Sequence, residues 1–444
     1  MRTVLILMAC GVPGFGETIL TLRQAVSIAL ARNPSLEAAA ARIRAAQARA
    51  EAARGNWLPK ANYQESWQRS NNPVFVFSSL LTQHQFTESN FGIGLLNRPD
   101  FLNNFQSVVS VDQTVYDGRR TSTEVKTAEI NRTMTEEERR SAQMAVIAGV
   151  ARTYYGSVLA QAALETANAA VKSAEADLRR AESVLQAGLS TEADVLSIRV
   201  HLAAVREQQI TRTYNLQTAR AALNEALGLA LDEPHDLTTP LSDVSTAETA
   251  VADLEQRAAE ARPEARQAGL ATRLASTQVS GARGALLPQV SLRGVFEADR
   301  QRFAGRGGAN WFAGATLRWN IFNGHSDGAR IREASEALAG AQKQEEQVGR
   351  GIRLQVRTAW GGYQSARERV TVAQAAVSQA EESLRIIKNR YDNGLTTVTE
   401  LLRGETALLD ARMRRLNALY DVRVSAAVLY QSAGILTGDS DVLR

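Results

Sequence analysis

Two sets of residues in this chain could do local chemistry, and each follows a glycine. Gly188-Leu189-Ser190-Thr191 leads to Asp194, and Gly394-Leu395-Thr396-Thr397 leads to Glu400. Glycine suits the left-handed backbone that ends a helix. Thr-x-x-Asp and Thr-x-x-Glu have the spacing of a capping box, in which hydroxyl and carboxylate satisfy the free N–H groups of the next helix. Capping alone explains both acids. Catalysis finds no comparable set. His84, His201, His235 and His325 lack ligand spacing, the five Met form no cluster, and no HExxH, GxSxG or Walker A motif occurs. No nucleophile stands with a base, so neither an enzyme nor a cofactor or metal site is expected. The single Cys10 excludes an internal disulfide framework and a Cys-based zinc site.

The elements that carry these turns are announced by where rare residues fall. Prolines stand at 13, 34, 59, 73, 99, 234, 240, 263 and 288, leaving blocks of 134 and 156 residues without one. Such blocks accommodate helices far longer than the globular average of about 11 residues. Residues 57–116 and 287–322 hold 16 of the 25 aromatics. The 51 basic and 47 acidic residues are well mixed. No basic stripe marks a nucleic-acid footprint, and no nucleic-acid partner is expected.

The longest apolar run, Val4 to Cys10, is far shorter than the roughly 20 residues of a membrane helix. Arg2 followed by Val4–Ala9 reads as a short export signal over residues 1–16, cleaved after Gly16. Leu7-Met8-Ala9-Cys10 also approximates a lipoprotein box, with lipidation of Cys10; an incorrectly placed start is the third reading.

A repeat organises the chain. Gly188-Leu189-Ser190-Thr191 and Gly394-Leu395-Thr396-Thr397 lie 206 residues apart, as do Tyr116-Asp117-Gly118 and Phe322-Asn323-Gly324, Gly228-Leu229 and Gly434-Ile435, and Tyr154 and Trp360. Upstream the offset is 229: Asn33-Pro34 matches Arg262-Pro263, and Leu58-Pro59 matches Leu287-Pro288. The extra residues fall within 68–105, which shows no helical period and reads as an enlarged loop. Each half predicts a helix, two strands, a very long helix and a returning helix. The helices are expected near 20–55, 119–187 and 191–227, then 250–284, 325–393 and 397–433.

Leu164, Ala167, Val171, Ala174, Leu178, Ala181 and Leu185 alternate by three and four, and so do Val370, Ala373, Val377, Ala380, Leu384, Ile387 and Tyr391. This is a heptad seam with alanine at alternate positions. Val195, Ile198, Leu202 and Val205 return after the first glycine turn, and Leu401, Leu408 and Ala411 after the second. Each half therefore predicts an antiparallel coiled-coil hairpin, with long helices of roughly 100 Å.

The aromatic windows predict strands at 57–70, 104–116, 287–300 and 309–322. In the last, Trp311, Ala313, Ala315, Leu317, Trp319 and Ile321 alternate with Asn310, Thr316, Arg318 and Asn320. Phe105, Val109, Val111 and Val115 alternate with Gln106, Ser110, Asp112 and Thr114 in the second. Apolar-out, polar-in dyads of this length fit outer-membrane barrel strands; a half-exposed sheet on a soluble domain is the bland alternative. Four strands cannot close a barrel, and an open edge cannot sit in lipid. Two copies would give 8 strands and three would give 12, and 12 helical segments suffice to enclose a channel.

At this point the chain resembles the TolC family of outer-membrane efflux ducts. The resemblance rests on Leu22 to Asn33-Pro34, Leu58-Pro59, Tyr116-Asp117-Gly118 with Phe322-Asn323-Gly324, and the two glycine–x5–acid tips. It implies a mostly α fold with a β-barrel contribution: a homotrimer with a 12-stranded barrel in outer-membrane lipid and an α-helical tunnel in the periplasm. It lays the chain out as a signal peptide (1–16), a tunnel helix (17–56) and a membrane hairpin (57–116) with its loop (68–105) outside the cell. A helical hairpin (117–228) and an equatorial segment (229–249) follow. The second half repeats the order with a tunnel helix (250–286), membrane hairpin (287–322), helical hairpin (323–433) and equatorial segment (434–444).

The resemblance also implies a passive exit duct for a tripartite efflux pump or type I secretion system, with a periplasmic adaptor and an inner-membrane RND or ABC transporter as partners. The alternative is a soluble or cell-wall-associated coiled-coil scaffold. In such ducts the second tip closes the channel and acids there favour cations. Glu400 matches one such acid; Arg403 stands where a second is expected and implies weaker cation selectivity. Tyr391 and Asp194 match gate contacts. Gly188, Leu189, Ser190, Gly394, Leu395 and Thr396 match adaptor-docking residues.

Overall fold

A computed structural model describes residues 18–188, 190–243 and 250–443. The expected signal segment with Cys10, and Leu189 of the first tip, lie outside the described residues. The described chain runs β1 (Thr18–Leu20), α1 (Leu22–Arg32), α2 (Pro34–Arg54), β2 (Lys60–Ser70), α3 (Pro73–Thr82), α4 (Ile93–Asn97), β3 (Leu102–Asp117), α5 (Arg120–Gln186) and α6 (Glu192–Leu227). It continues with β4 (His235–Leu237), α7 (Val251–Ala261), α8 (Pro263–Gly284), β5 (Gln289–Arg300), β6 (Gly308–Arg318), α9 (Ser326–Asp392) and α10 (Val398–Ser432). Two compact units result. One gathers the described residues up to Ala41 with Glu137–Arg266 and those from Gln347 onward; the other holds Arg42–Glu136 and Gln267–Glu346.

The long helices α5 and α9 each span 67 residues. The repeat is written in the backbone as well as the sequence. Gly118 and Gly324, Gly188 and Gly394, Gly228 and Gly434 all take positive φ, and so do the non-glycine pair Arg119 and His325. Every pair keeps the 206-residue offset.

Two expected helices are broken. The segment 20–55 divides at Asn33, and 250–284 divides at Arg262. Proline offers no N–H and pushes its predecessor out of the helical region: Asn33 sits at ψ 122° and Arg262 at ψ 132°. Pro34 and Pro263 therefore start new helices. The described residues before α1 are also not helical. Thr18–Leu20 form a strand parallel to His235–Leu237, and Thr21 caps α1 with Gln24 in a capping box.

In the first unit the seams close as coiled-coil packing requires. Ala167, Val171, Ala174 and Ala181 of α5 are buried, as are Val195, Ile198, Leu202 and Val205 of α6. Val377, Leu401 and Ala411 are buried in the second hairpin, while Ala373, Ala380 and Leu384 remain half-buried. Tyr154 organises the core of this unit. It is fully buried, its Oη donates to Leu20 O at 2.8 Å, and it accepts from Thr239 N at 3.0 Å. One hydroxyl thus ties the β1 end and the chain after β4 to α5.

The second unit holds one antiparallel sheet in the order β2-β3-β5-β6. Directly paired residues share a face, so the register sorts the side chains. Tyr63, Val109, Phe296 and Trp311 lie on one face, joined by Ala61, Val111 and Ala313; Asn62, Ser110 and Gln106 with Glu297 lie on the other. The apolar face is interrupted where Arg300 Nη2 meets Glu65 Oε1 at 3.0 Å and Ser107 Oγ at 2.8 Å. A bulge between Thr114 and Tyr116 removes Val115 from the alternation and pairs Tyr116 with Val290. β6 ends at Arg318, so Trp319 and Ile321 fall beyond the strand. Trp319 instead donates its Nε1–H to Leu286 O at 3.0 Å.

The expected loop 68–105 is shorter and partly helical, since β2 reaches Ser70 and β3 begins at Leu102. Asn72 accepts from the N–H groups of Val74 and Phe75, and Pro73 fills the first helical position of α3. That start signal governs a ten-residue helix too short to show a period. The insert is anchored on the polar face: Gln83 donates to Asn104 Oδ1 at 2.8 Å, and Asn104 donates to Asp299 Oδ1 at 2.6 Å. The turn after β3 is tight, because a Cβ on Gly118 would lie 2.4 Å from Gly284 O.

Candidate functional site

The two tips belong to the first unit. At the first, Gly188 closes α5 at φ 75°, with its N–H donating to Leu185 O at 2.9 Å. The capping box forms: Thr191 Oγ1 accepts from Asp194 N at 3.3 Å and donates to Asp194 Oδ2 at 2.8 Å. Ser190 Oγ donates to the same carboxylate oxygen at 3.1 Å. Hydrogen bonds from Thr191, opposed by partial burial and helped by Ser190, hold the Asp194 carboxyl below its ordinary range. Asp194 is therefore a charged cap at neutral pH.

The second tip has the same backbone and different side-chain chemistry. Gly394 takes φ 70°, and Leu395 N donates to Arg390 O at 2.8 Å. Leu395 is exposed, and Thr396 follows it into the turn before α10. The expected capping box at Thr397 and Glu400 does not form, for Thr397 makes no side-chain cap bond. Glu400 turns along the helix to Arg403, whose Nη1 donates to Oε1 at 3.0 Å. Their side chains are 49% and 73% exposed, so the carboxylate is drawn to a guanidinium three residues on rather than back to the free N–H.

Tyr391 joins the tips from inside. It packs with Leu185 and Leu402 against the buried set Ala181, Val195, Ile198 and Val398. All four long helices contribute to this cluster. Burial, and then the charge of Asp194, pushes the Tyr391 hydroxyl above its ordinary range. The structure thus brings Tyr391 and Asp194 into one neighbourhood and leaves Glu400 with Arg403 exposed on α10.

Four further charge contacts join these helices outside the heptad seams. Arg180 Nη1 meets Asp392 Oδ1 at 2.6 Å, tying α5 to α9. Further from the tips, Lys388 Nζ of α9 meets Glu405 Oε1 of α10 at 3.0 Å and Asp177 Oδ2 of α5 at 3.4 Å. His201 Nε2 of α6 lies 3.5 Å from Glu405 Oε2. Ser173 Oγ donates to Glu405 at 3.0 Å. A seam written in apolar residues does not announce them. The available signal was polar residues one position off the seam: Asp177 beside Leu178, and Lys388 beside Ile387.

Among the described residues no helix is long and apolar enough to cross a membrane, which says nothing of the sheet.

Comparison with known proteins gives one consistent answer. The family model for the outer membrane efflux protein matches residues 25–229 and 254–435. Protein CyaE of Bordetella pertussis is 26% identical over 433 residues, covering 94% of this chain and 84% of CyaE. The cation efflux system protein CusC of Escherichia coli O6:H1 is 23% identical over 418 residues, covering 92% and 85%. Among solved structures, the Campylobacter jejuni CmeC outer membrane channel superposes with a TM-score of 0.80 at 17% identity, covering 99% of this chain and 96% of CmeC.

Proposed function

The chain belongs to the outer membrane efflux protein family, and from that membership we propose that it is the passive exit duct of a tripartite efflux pump or type I secretion system. Three copies close a 12-stranded barrel in the outer membrane, and the helical hairpins line a tunnel on the periplasmic side. The observation that carries the reading is the sheet. β2 and β6 are its edges, each eleven residues long, and one face carries Tyr63, Val109, Phe296 and Trp311. An edge of that length with unpaired backbone groups is untenable in lipid. Pairing β6 of one copy with β2 of the next removes both edges. A soluble scaffold has no use for this face.

In this reading the tips are the gate. Tyr391 and Asp194 hold the hairpins together, Glu400 and Arg403 set the charge at the constriction, and Gly188, Leu189, Ser190, Gly394, Leu395 and Thr396 receive a periplasmic adaptor. An inner-membrane RND or ABC transporter supplies the energy, and the duct carries out no reaction.

The test is direct. Outer-membrane fractions should yield a trimer band that dissociates on heating, and the purified trimer should conduct ions across a planar bilayer. A monomer recovered in the soluble fraction without detergent would overturn the proposal.

A further inference from the structure

Asp177, His201, Lys388 and Glu405 come from four different helices and meet between the hairpins, further from the tips than Tyr391. The acids are largely enclosed: the Glu405 and Asp177 side chains are 8% and 11% exposed. Beside them lies a cavity of about 80 Å³ lined by Ser173, His201, Leu384, Glu405 and Leu408. Removing charges from water is costly unless each is paired. Here one ammonium serves two carboxylates. Ser173 is neutral, receiving from Lys388 at 3.1 Å and donating to Glu405. His201 adds a cation only when protonated.

Charged neighbours on the same helices have partners of their own. Arg199 and Arg206 of α6 pair with Glu182 and Glu175 of α5. On α5, Arg180 pairs with Asp392 of α9. On α10, Arg412 at the cavity wall pairs with Glu381 of α9 at 2.8 Å. Tyr391 of α9 is uncharged. The enclosed cluster is thus one positive charge short when both acids are ionised, and two carboxylates that share one ammonium do not both ionise cheaply.

We propose that Asp177 and Glu405 share a proton-binding site that clamps the two helical hairpins together, tightening when a proton is held and loosening when it leaves. With the proton on Asp177, its carboxylic acid donates to Glu405, and Lys388 neutralises the remaining carboxylate, so α5, α9 and α10 are joined by a net-neutral network. Without it, two carboxylates compete for Lys388 and repel one another across the hairpins.

The direction of the pH response follows from the same contacts. Burial, and then the hydrogen bond and charge of Glu405, push Asp177 up to about 6. Burial works against Glu405, yet hydrogen bonds from His201, Asp177 and Lys388 outweigh it and hold that carboxyl low. The titrating proton therefore sits on Asp177. An acid whose value is raised by packing stabilises the packed form below its ordinary value, and that contribution is lost as pH rises through the raised one. The clamp is tight in acid and loosens as pH rises from the ordinary value of 3.8 through about 6.

The experiment places spin labels at Ser197 of α6 and Thr406 of α10 in the full-length protein and follows their separation from about pH 5 to about pH 8. The expected result is a longer, broader separation growing in with a midpoint near pH 6. Asp177→Asn should abolish the pH response and keep the short separation. Lys388→Met, which removes the charge that favours the ionised acid, should move the midpoint upward by a pH unit or more. A wild-type separation that does not change with pH, or an Asp177→Asn response like that of wild type, overturns the clamp.

That the clamp gates conduction rests on the duct reading, and bilayer conductance measured on the same samples keeps the two apart. Conductance rising at least severalfold above pH 6 supports both. A pH-dependent separation with no conductance at any pH retains the clamp and rejects the duct.

Discussion

Arg403 donates to Glu400 at 3.0 Å across the first two turns of the helix that leaves the second tip. An exposed pair three residues apart contributes no more than about 1 kcal/mol to stability. In the proposed duct its consequence is electrostatic: Arg403 neutralises the acid assigned to the constriction. Arg403→Ala should leave the fold intact and increase cation selectivity, read as a larger reversal potential across a salt gradient. Glu400→Ala should reduce it. Strong cation selectivity that survives Glu400→Ala would sink the assignment.

Tyr391 fills the junction of four helices. Tyr391→Ala removes apolar contact with Ala181, Val195, Ile198 and Val398, and partial relaxation of such a site costs about 2 to 3 kcal/mol. Resting conductance should rise severalfold, whereas Tyr391→Phe should stay near wild type if packing rather than the hydroxyl holds the tip. Equal conductance in the Ala variant and wild type would count against a gate here.

The tips should respond differently to loss of their threonines. Thr191→Ala removes a formed cap and should destabilise the start of α6 by about 1 kcal/mol, visible as faster amide exchange over the first turn. Thr397→Ala removes no cap bond and should change exchange little. Because Asp194 lies below its ordinary value of 3.8, the contribution of its cap is present above about pH 4 and is lost as pH falls through the lowered value. A cap effect equal at both tips would refute the asymmetry.

Tyr154→Phe should leave Leu20 O and Thr239 N without the hydroxyl that serves both. Leu20 O keeps the N–H of Thr238 at 3.3 Å, so the cost falls mainly on the part-buried Thr239 N–H and is about 1 to 3 kcal/mol. Thermal unfolding should shift down, with early proteolysis near β1. An unchanged melting temperature would show that water replaces the hydroxyl.

Gly118→Ala combines a positive φ with a Cβ that would approach Gly284 O to 2.4 Å. Gly188→Ala meets the same φ cost but no neighbour within 4 Å. Trimer yield in the outer membrane should fall markedly for the first and mildly for the second; the reverse order would contradict the close approach.

Much of the architecture was legible because helices and strands write their periods along the chain. The limits of α5, Arg120–Gln186, stand within a residue of those expected from Gly118 and Gly188. The breaks at Asn33 and Arg262 were also announced, by Pro34 and Pro263, which push the residue before them out of the helical region. The α3 start at Asn72-Pro73 was written locally too, but ten residues are too few to establish a period.

By itself the sequence determined the repeat, the length of the long helices and the two-faced strands, because these depend on residues close in the chain or on one offset kept throughout. Tertiary structure alone decided which charges meet. Ser173 and Glu405 lie 232 residues apart, and Lys388 and Asp177 lie 211 apart. Their encounter depends on how four helices are rotated and staggered within one packed unit. A heptad seam fixes the face each helix buries, but not which polar neighbour on one hairpin stands opposite which on the other.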